Sequence, residues 1–145
     1  MNAYEYLSQA YMLEQRIRTK LEHISALRSL AQTVSSFRDN EPVSHTRNVT
    51  QLEDTLIKIM QQEQELNAEI DRLVDLKREI MEVLEEVKDM NYRLILEKRH
   101  LCFESWPRIG REMGHSDRWA QQKHEAALRV VQQILDRRVR DDERP

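Results

Sequence analysis

Residues 105–124 read SWPRIGREMGHSDRWAQQKH, and both glycines of the 145-residue chain, Gly110 and Gly114, lie inside this stretch. Everywhere else glycine is avoided, as a mostly helical chain would avoid it. Ser105 is a good N-cap, and Pro107 suits a first helical turn, where its missing N–H would be unpaired anyway. Residues 106–113 then make a helix of about two turns. Gly114 falls where a helix end needs a left-handed residue. Ser116 caps a following helix, with Asp117 well placed against its dipole, and that helix continues through DRWAQQKHEAALRVVQQILDRRVR. A short helix, a tight turn and a longer helix form the helix-turn-helix arrangement, whose second helix is free to enter a major groove. Gly110 then marks a close backbone approach at the corner. Ile109 and Met113, with Ala120, Ala127 and Leu128, are its expected small core.

Working back from that corner, a 3-4 alternation of apolar residues runs from Val49 for more than forty residues. One set is Leu52, Ile59, Leu66, Leu73, Ile80, Val87 and Leu94. The other is Val49, Leu56, Glu63, Ile70, Lys77, Leu84 and Asn91. This is the seam of a long coiled-coil helix, and its polar members help to fix register and partner number. A second helix, about Tyr4 to Phe37, carries a less regular stripe: Leu7, Tyr11, Ile17, Leu21, Ile24, Leu27, Leu30 or Ala31, and Val34. Between the helices lie the turn formers Asn40, Pro42 and Ser44. An antiparallel hairpin is the economical arrangement. Past Met90 the pattern shifts, with Leu94, Leu96, Leu101 and Tyr92 near one face and Ile95 beside them. The expected fold is all-α: a helical hairpin over 1–90, a helix-turn-helix domain over 91–140 and an acidic tail over 141–145.

Composition agrees. Two glycines and three prolines leave few breakers, and an apolar content of 39% suits helices that each bury one stripe. The net charge of −3 is unevenly spread. Residues 1–90 hold 11 Lys and Arg against 17 Asp and Glu, whereas residues 91–140 hold 11 against 6. An acidic arm beside a basic unit suggests that the second part meets a polyanion. No apolar stretch is long enough for a membrane span, MNAYEYLSQA does not read as a secretory signal, and a lone Cys102 fits a reducing compartment. A cytoplasmic location is therefore expected.

The stretch PRIGREMGHSDRWAQQKHEAALR resembles region 4 of the sigma-70 family, which recognises the −35 promoter element. The matching residues are Ile109, Gly110, Met113, Gly114, Ser116, Ala120, Ala127, Leu128 and Arg129, without a gap. Arg99 and Leu101 in the preceding ILEKRHLCFESW also match. The resemblance covers about residues 91–135. The layout is similar to small sigma-like transcription regulators of phages and mobile elements in Gram-positive bacteria, including the ArpU type. It implies a DNA-binding regulator with double-stranded DNA as partner, and a hairpin that dimerises or contacts RNA polymerase. Carried over by position, Arg118, Gln121 and Gln122 lie on the exposed face of the recognition helix, with Lys123 as an addition. Arg108, Arg111 and Arg129, and further along Arg137 and Arg138, are candidates for phosphates. Lys123 replaces an apolar residue of the family, and Asp117 and Trp119 stand where basic residues are common, so the −35 preference is not carried over. Nothing resembles the family's region 2.

Rival readings are a small terminase-like subunit that assembles as a ring, and a protein-binding adaptor that has lost DNA contact. Catalysis finds no footing in the sequence. His23, His45, His100, His115 and His124 show no metal-ligand spacing, Cys102 reads as a partly buried structural thiol, and no glycine-rich phosphate loop is present. Trp106 and Trp119 read as core. The expectation is a non-enzyme without cofactor, metal, small-molecule substrate or membrane contact.

Overall fold

The computed structural model describes residues 1–38 and 45–144. All regular structure among them is helical: α1 (Ala3–Arg38), α2 (His45–Glu85), α3 (Met90–His100), α4 (Trp106–Glu112) and α5 (Asp117–Asp142). The turn expected at Asn40, Pro42 and Ser44 lies outside the described residues. No helix among the described residues is long and apolar enough to cross a membrane. The chain divides into two compact units, Met1–Leu13 with Leu73–Pro145, and Glu14–Arg72. The sequence boundary at residue 90 falls inside the first of them.

The Glu14–Arg72 unit is a pair of helical segments joined by ions. Arg16 bonds Glu69 at 2.8 Å, Lys20 bonds Glu65 at 2.9 Å, and Arg28 bonds Glu63. Higher numbers on α1 meet lower numbers on α2, so the segments run antiparallel. Its buried apolar residues are Ile17, Ile24 and Ala31 on α1, and Ile59 and Leu66 on α2. They recur every seventh residue, one per two turns, which is the narrow contact line that two helices can make. The wider stripes expected from the sequence are therefore only half used. Leu21 and Leu30 on α1 and Leu56 and Ile70 on α2 face solvent.

In the other unit, Ala3, Leu7 and Ala10 of α1 join Ile80, Val83, Leu84 and Val87, then Leu96, then Ala127, Val131 and Ile134 of α5 in one buried cluster. The Ala3 amide donates to the Gln132 side-chain oxygen at 2.7 Å, fixing the start of α1. Small residues at 3 and 10 allow this close approach. Tyr11, expected in the hydrophobic stripe, is exposed and meets the Phe103 ring edge-on, with centroids 5.8 Å apart.

The long helix does not continue to Leu94. α2 ends at Glu85, and α3 starts after Asp89, whose carboxylate accepts from the amides of Asn91 at 2.9 Å and Tyr92 at 3.1 Å. This N-cap resets the helical phase, so Ile95 and Leu96 turn fully inward while Leu94 stays 41% exposed. Asn91 is likewise exposed.

Candidate nucleic-acid interface

α3, α4 and α5 pack on one another and hold the corner between α4 and α5. Ser105 caps α4 through the Arg108 amide, and Ser116 caps α5 through the Trp119 amide at 3.1 Å. Gly114 adopts φ +74°, in open space. Gly110 answers a different need. A Cβ there would stand 2.8 Å from the His115 carbonyl oxygen and from the Ser116 carbonyl carbon. The close approach is thus to the turn backbone rather than to the body of α5. The His115 amide donates to the Gly110 carbonyl at 2.8 Å, closing the turn.

Beneath the corner, Ile109 and Ala120 are fully buried with Ile95 of α3, and Trp106, Met113 and Trp119 cover them. Ala127 and Leu128, expected in this small core, belong instead to the larger cluster further along α5. Ile95 takes their place because the reset at Asp89 aims it at α4. Trp119 also stacks on His115, with centroids 3.7 Å apart and planes 12° from parallel.

A buried histidine pair joins α3 to α5. The Nε2 atoms of His100 and His124 are 2.7 Å apart and the rings stack at 5.0 Å, so one nitrogen donates and the other accepts. Trp106 meets His124 edge-on at 4.8 Å, and the Arg99 guanidinium lies 4.4 Å over the Trp106 ring. Burial, then the neighbouring His124 and Arg99, push His100 down to about 3. Burial and Arg99 push His124 down to about 4. Both rings are neutral near pH 7, so the pair is packing and not a charge switch there. Their separation of 24 residues hid them from any local spacing rule. No group of three His, Cys, Asp or Glu side chains among the described residues could hold a metal ion. Cys102 is exposed, not the partly buried thiol expected. It lies in the turn after α3, between Leu101 and Phe103, which pack against the core.

The candidate contact residues sort by their partners. Arg108 bonds Glu112 at 2.9 Å and lies 3.9 Å from Glu104, while Lys98 bonds Glu112 and lies 3.8 Å from Glu104. The two cations hold the Glu112 carboxyl down at about 2. Arg137 and Arg138 both bond Glu86, at 3.2 and 2.7 Å. These cations already have carboxylate partners, although Arg137 and Arg138 share one. By contrast Arg111, Arg118, Lys123 and Arg129 make no ion pair among the described residues. Arg118, Gln122 and Arg129 are exposed opposite the buried line Ala120, His124, Ala127 and Val131, Gln121 is exposed at one flank of that face, and Lys123 is half-buried at the other. Glu125 shares that exposed face, an acid the sequence reading passed over.

No protein family, no curated protein and no solved structure matches this chain. The sigma region 4 resemblance therefore stands on the quoted residues alone.

Proposed function

We propose that this protein is a non-enzymatic, sequence-specific DNA-binding transcription regulator of phage or mobile-element type. In this reading α4, the turn and α5 act as a helix-turn-helix, with α5 in the major groove of double-stranded DNA and the hairpin serving dimerisation or contact with RNA polymerase. The observation that carries it is the sorting of charge. Of the candidate cations and their neighbours, Lys98, Arg108, Arg137 and Arg138 are tied to Glu86, Glu104 and Glu112. Arg118, Lys123 and Arg129 of α5 and Arg111 at the end of α4 make no ion pair among the described residues, and Gln121 and Gln122 lie between Arg118 and Lys123 in sequence. Glutamine pairs with adenine and arginine with guanine through two hydrogen bonds each, and each good pair discriminates by about 1–3 kcal/mol. Arg111 and Arg129, at the margins of that face, suit phosphates.

The test is selection of bound fragments from a random duplex pool, beside a variant with Arg118, Gln121 and Gln122 changed to Ala. The regulator reading expects the wild type to enrich one motif and the variant to bind without enriching it. Failure of both proteins to bind at moderate salt would leave a protein-binding adaptor as the better account. A ring-sized assembly in solution would favour the terminase-like reading.

A further inference from the structure

Beside the line that the hairpin buries, α2 carries a second stripe of heptad positions, whose large apolar members are exposed. In order the positions are Val49, Glu53, Leu56, Met60, Glu63, Asn67, Ile70, Val74, Lys77 and Met81, spaced alternately by four and three. Leu56, Met60, Ile70, Val74 and Met81 on it are between 39% and 62% exposed. Isolated exposed apolar residues need no explanation, but a stripe at coiled-coil spacing is what a partner helix would cover.

The stripe is its own complement. Two copies of α2 laid antiparallel about a two-fold axis near residue 65 set Met60 against Ile70 of the second copy. They set Leu56 against Val74 and Val49 against Met81 of that copy. The polar members fall together: Glu63 meets Asn67, and Glu53 meets Lys77 with opposite charge. Sliding by one heptad in either direction sets polar residues against apolar ones, Glu63 against Val74 or Leu56 against Asn67. A parallel in-register pair would stack Glu53, Glu63 and Lys77 each on its own copy, which repels. At the flank, Gln64 meets Gln64 of the second copy and Asp71 meets Ile57, so no like charges face each other.

We propose that this face of α2 binds a second copy of the chain, antiparallel and in this register. The proposal deepens the dimerisation element of the proposed function and rests on it only for its biological purpose, since the surface argument makes no use of DNA. Glu63 is half-buried and held by Arg28, and the Lys77 ammonium lies 4.9 Å over the Phe103 ring, so one member of each polar layer is already held in place. Such layers select register at some cost in strength.

The test uses full-length chains without DNA, in a Cys102→Ser background because that thiol is exposed. Chains carrying Met60→Cys and chains carrying Ile70→Cys are oxidised mildly, alone and mixed. The expected result is a disulfide-linked heterodimer in the mixture, at least tenfold more abundant than linked dimer from either chain alone. Cross-linking of each variant with itself would mean a parallel or different register and would overturn the proposal, as would none in any sample. A Met60→Glu, Ile70→Glu double variant should sediment at half the wild-type mass with unchanged helix content. A wild type already monomeric at tens of micromolar would equally overturn it. Cross-linking without duplex binding would sink the regulator reading alone, and duplex binding without cross-linking this proposal alone.

Discussion

The Glu14–Arg72 segment pair and the unit built on α3, α4 and α5 use the same material, amphipathic helix, to opposite ends. In the first, one apolar residue per two turns is buried, cross-helix ions do the aligning, and large apolar side chains are left in water. In the second, Leu7, Ile80, Leu84, Ile95, Leu96, Ile109 and Val131 are fully enclosed, because five helical segments surround each other. The difference teaches that helix number decides how much of a stripe can be buried: two helices cover a line, and several cover a face. In the reading proposed above, the enclosed unit holds side chains in place for recognition, and the open one keeps surface to spare for a partner.

The contrast is broken most severely in the enclosed unit. Leu7→Ala should cost about 2–5 kcal/mol, since the cavity lies among fixed neighbours, whereas Leu21→Ala in the open unit should cost well under 1 kcal/mol. Thermal unfolding of the two variants measures the gap, and equal shifts would contradict the assignment of residues 1–13 to the enclosed unit. Gly110→Ala comes next, at about 1–3 kcal/mol, because its Cβ would strike backbone that cannot step aside. Gly114→Ala meets open space and pays only for its left-handed φ, about 1–2 kcal/mol.

Acid should act on the enclosed unit through the histidine pair. His100 and His124 titrate near their ordinary 6.5 when unfolded but at about 3 and about 4 when folded, so the unfolded state binds more protons between those values. The pair's contribution to stability is therefore flat above pH 7 and falls as pH drops from about 6.5 towards 4, by at most about 1.4 kcal/mol per pH unit for each ring. Denaturant midpoints measured from pH 8 to pH 4 check the slope, and a His100→Gln, His124→Gln variant should flatten it. Smallest of all, Lys20→Ala removes an exposed ion pair with Glu65 and should change stability by less than about 1 kcal/mol, less still at high salt.

The caps and the sharp turn were legible because they depend on neighbours in sequence. Ser105, Gly114 and Ser116 announce themselves within three residues. The break at 86–89 was not, because it contains neither glycine nor proline, and Asp89 is one acid among many until its carboxylate is seen on two amides. Nor was the burial of Ala3 and Ala10, whose small side chains leave a faint hydrophobic signal yet fit a tight interface. Of the candidate contact residues, sequence gave the charges but not their partners. Only the fold reveals that Arg108 is spent on Glu112 while Arg129 makes no ion pair among the described residues.

That last difference supplies the most direct test of DNA recognition by α5. The slope of log affinity against log salt counts neutralised phosphates at about 0.9 each. Comparing wild type, Arg129→Ala and Arg108→Ala on one duplex, the account predicts that Arg129→Ala makes the slope shallower by about one. It predicts that Arg108→Ala leaves the slope nearly unchanged. A wild type without salt-dependent duplex binding, or an unaltered slope for Arg129→Ala, would contradict it.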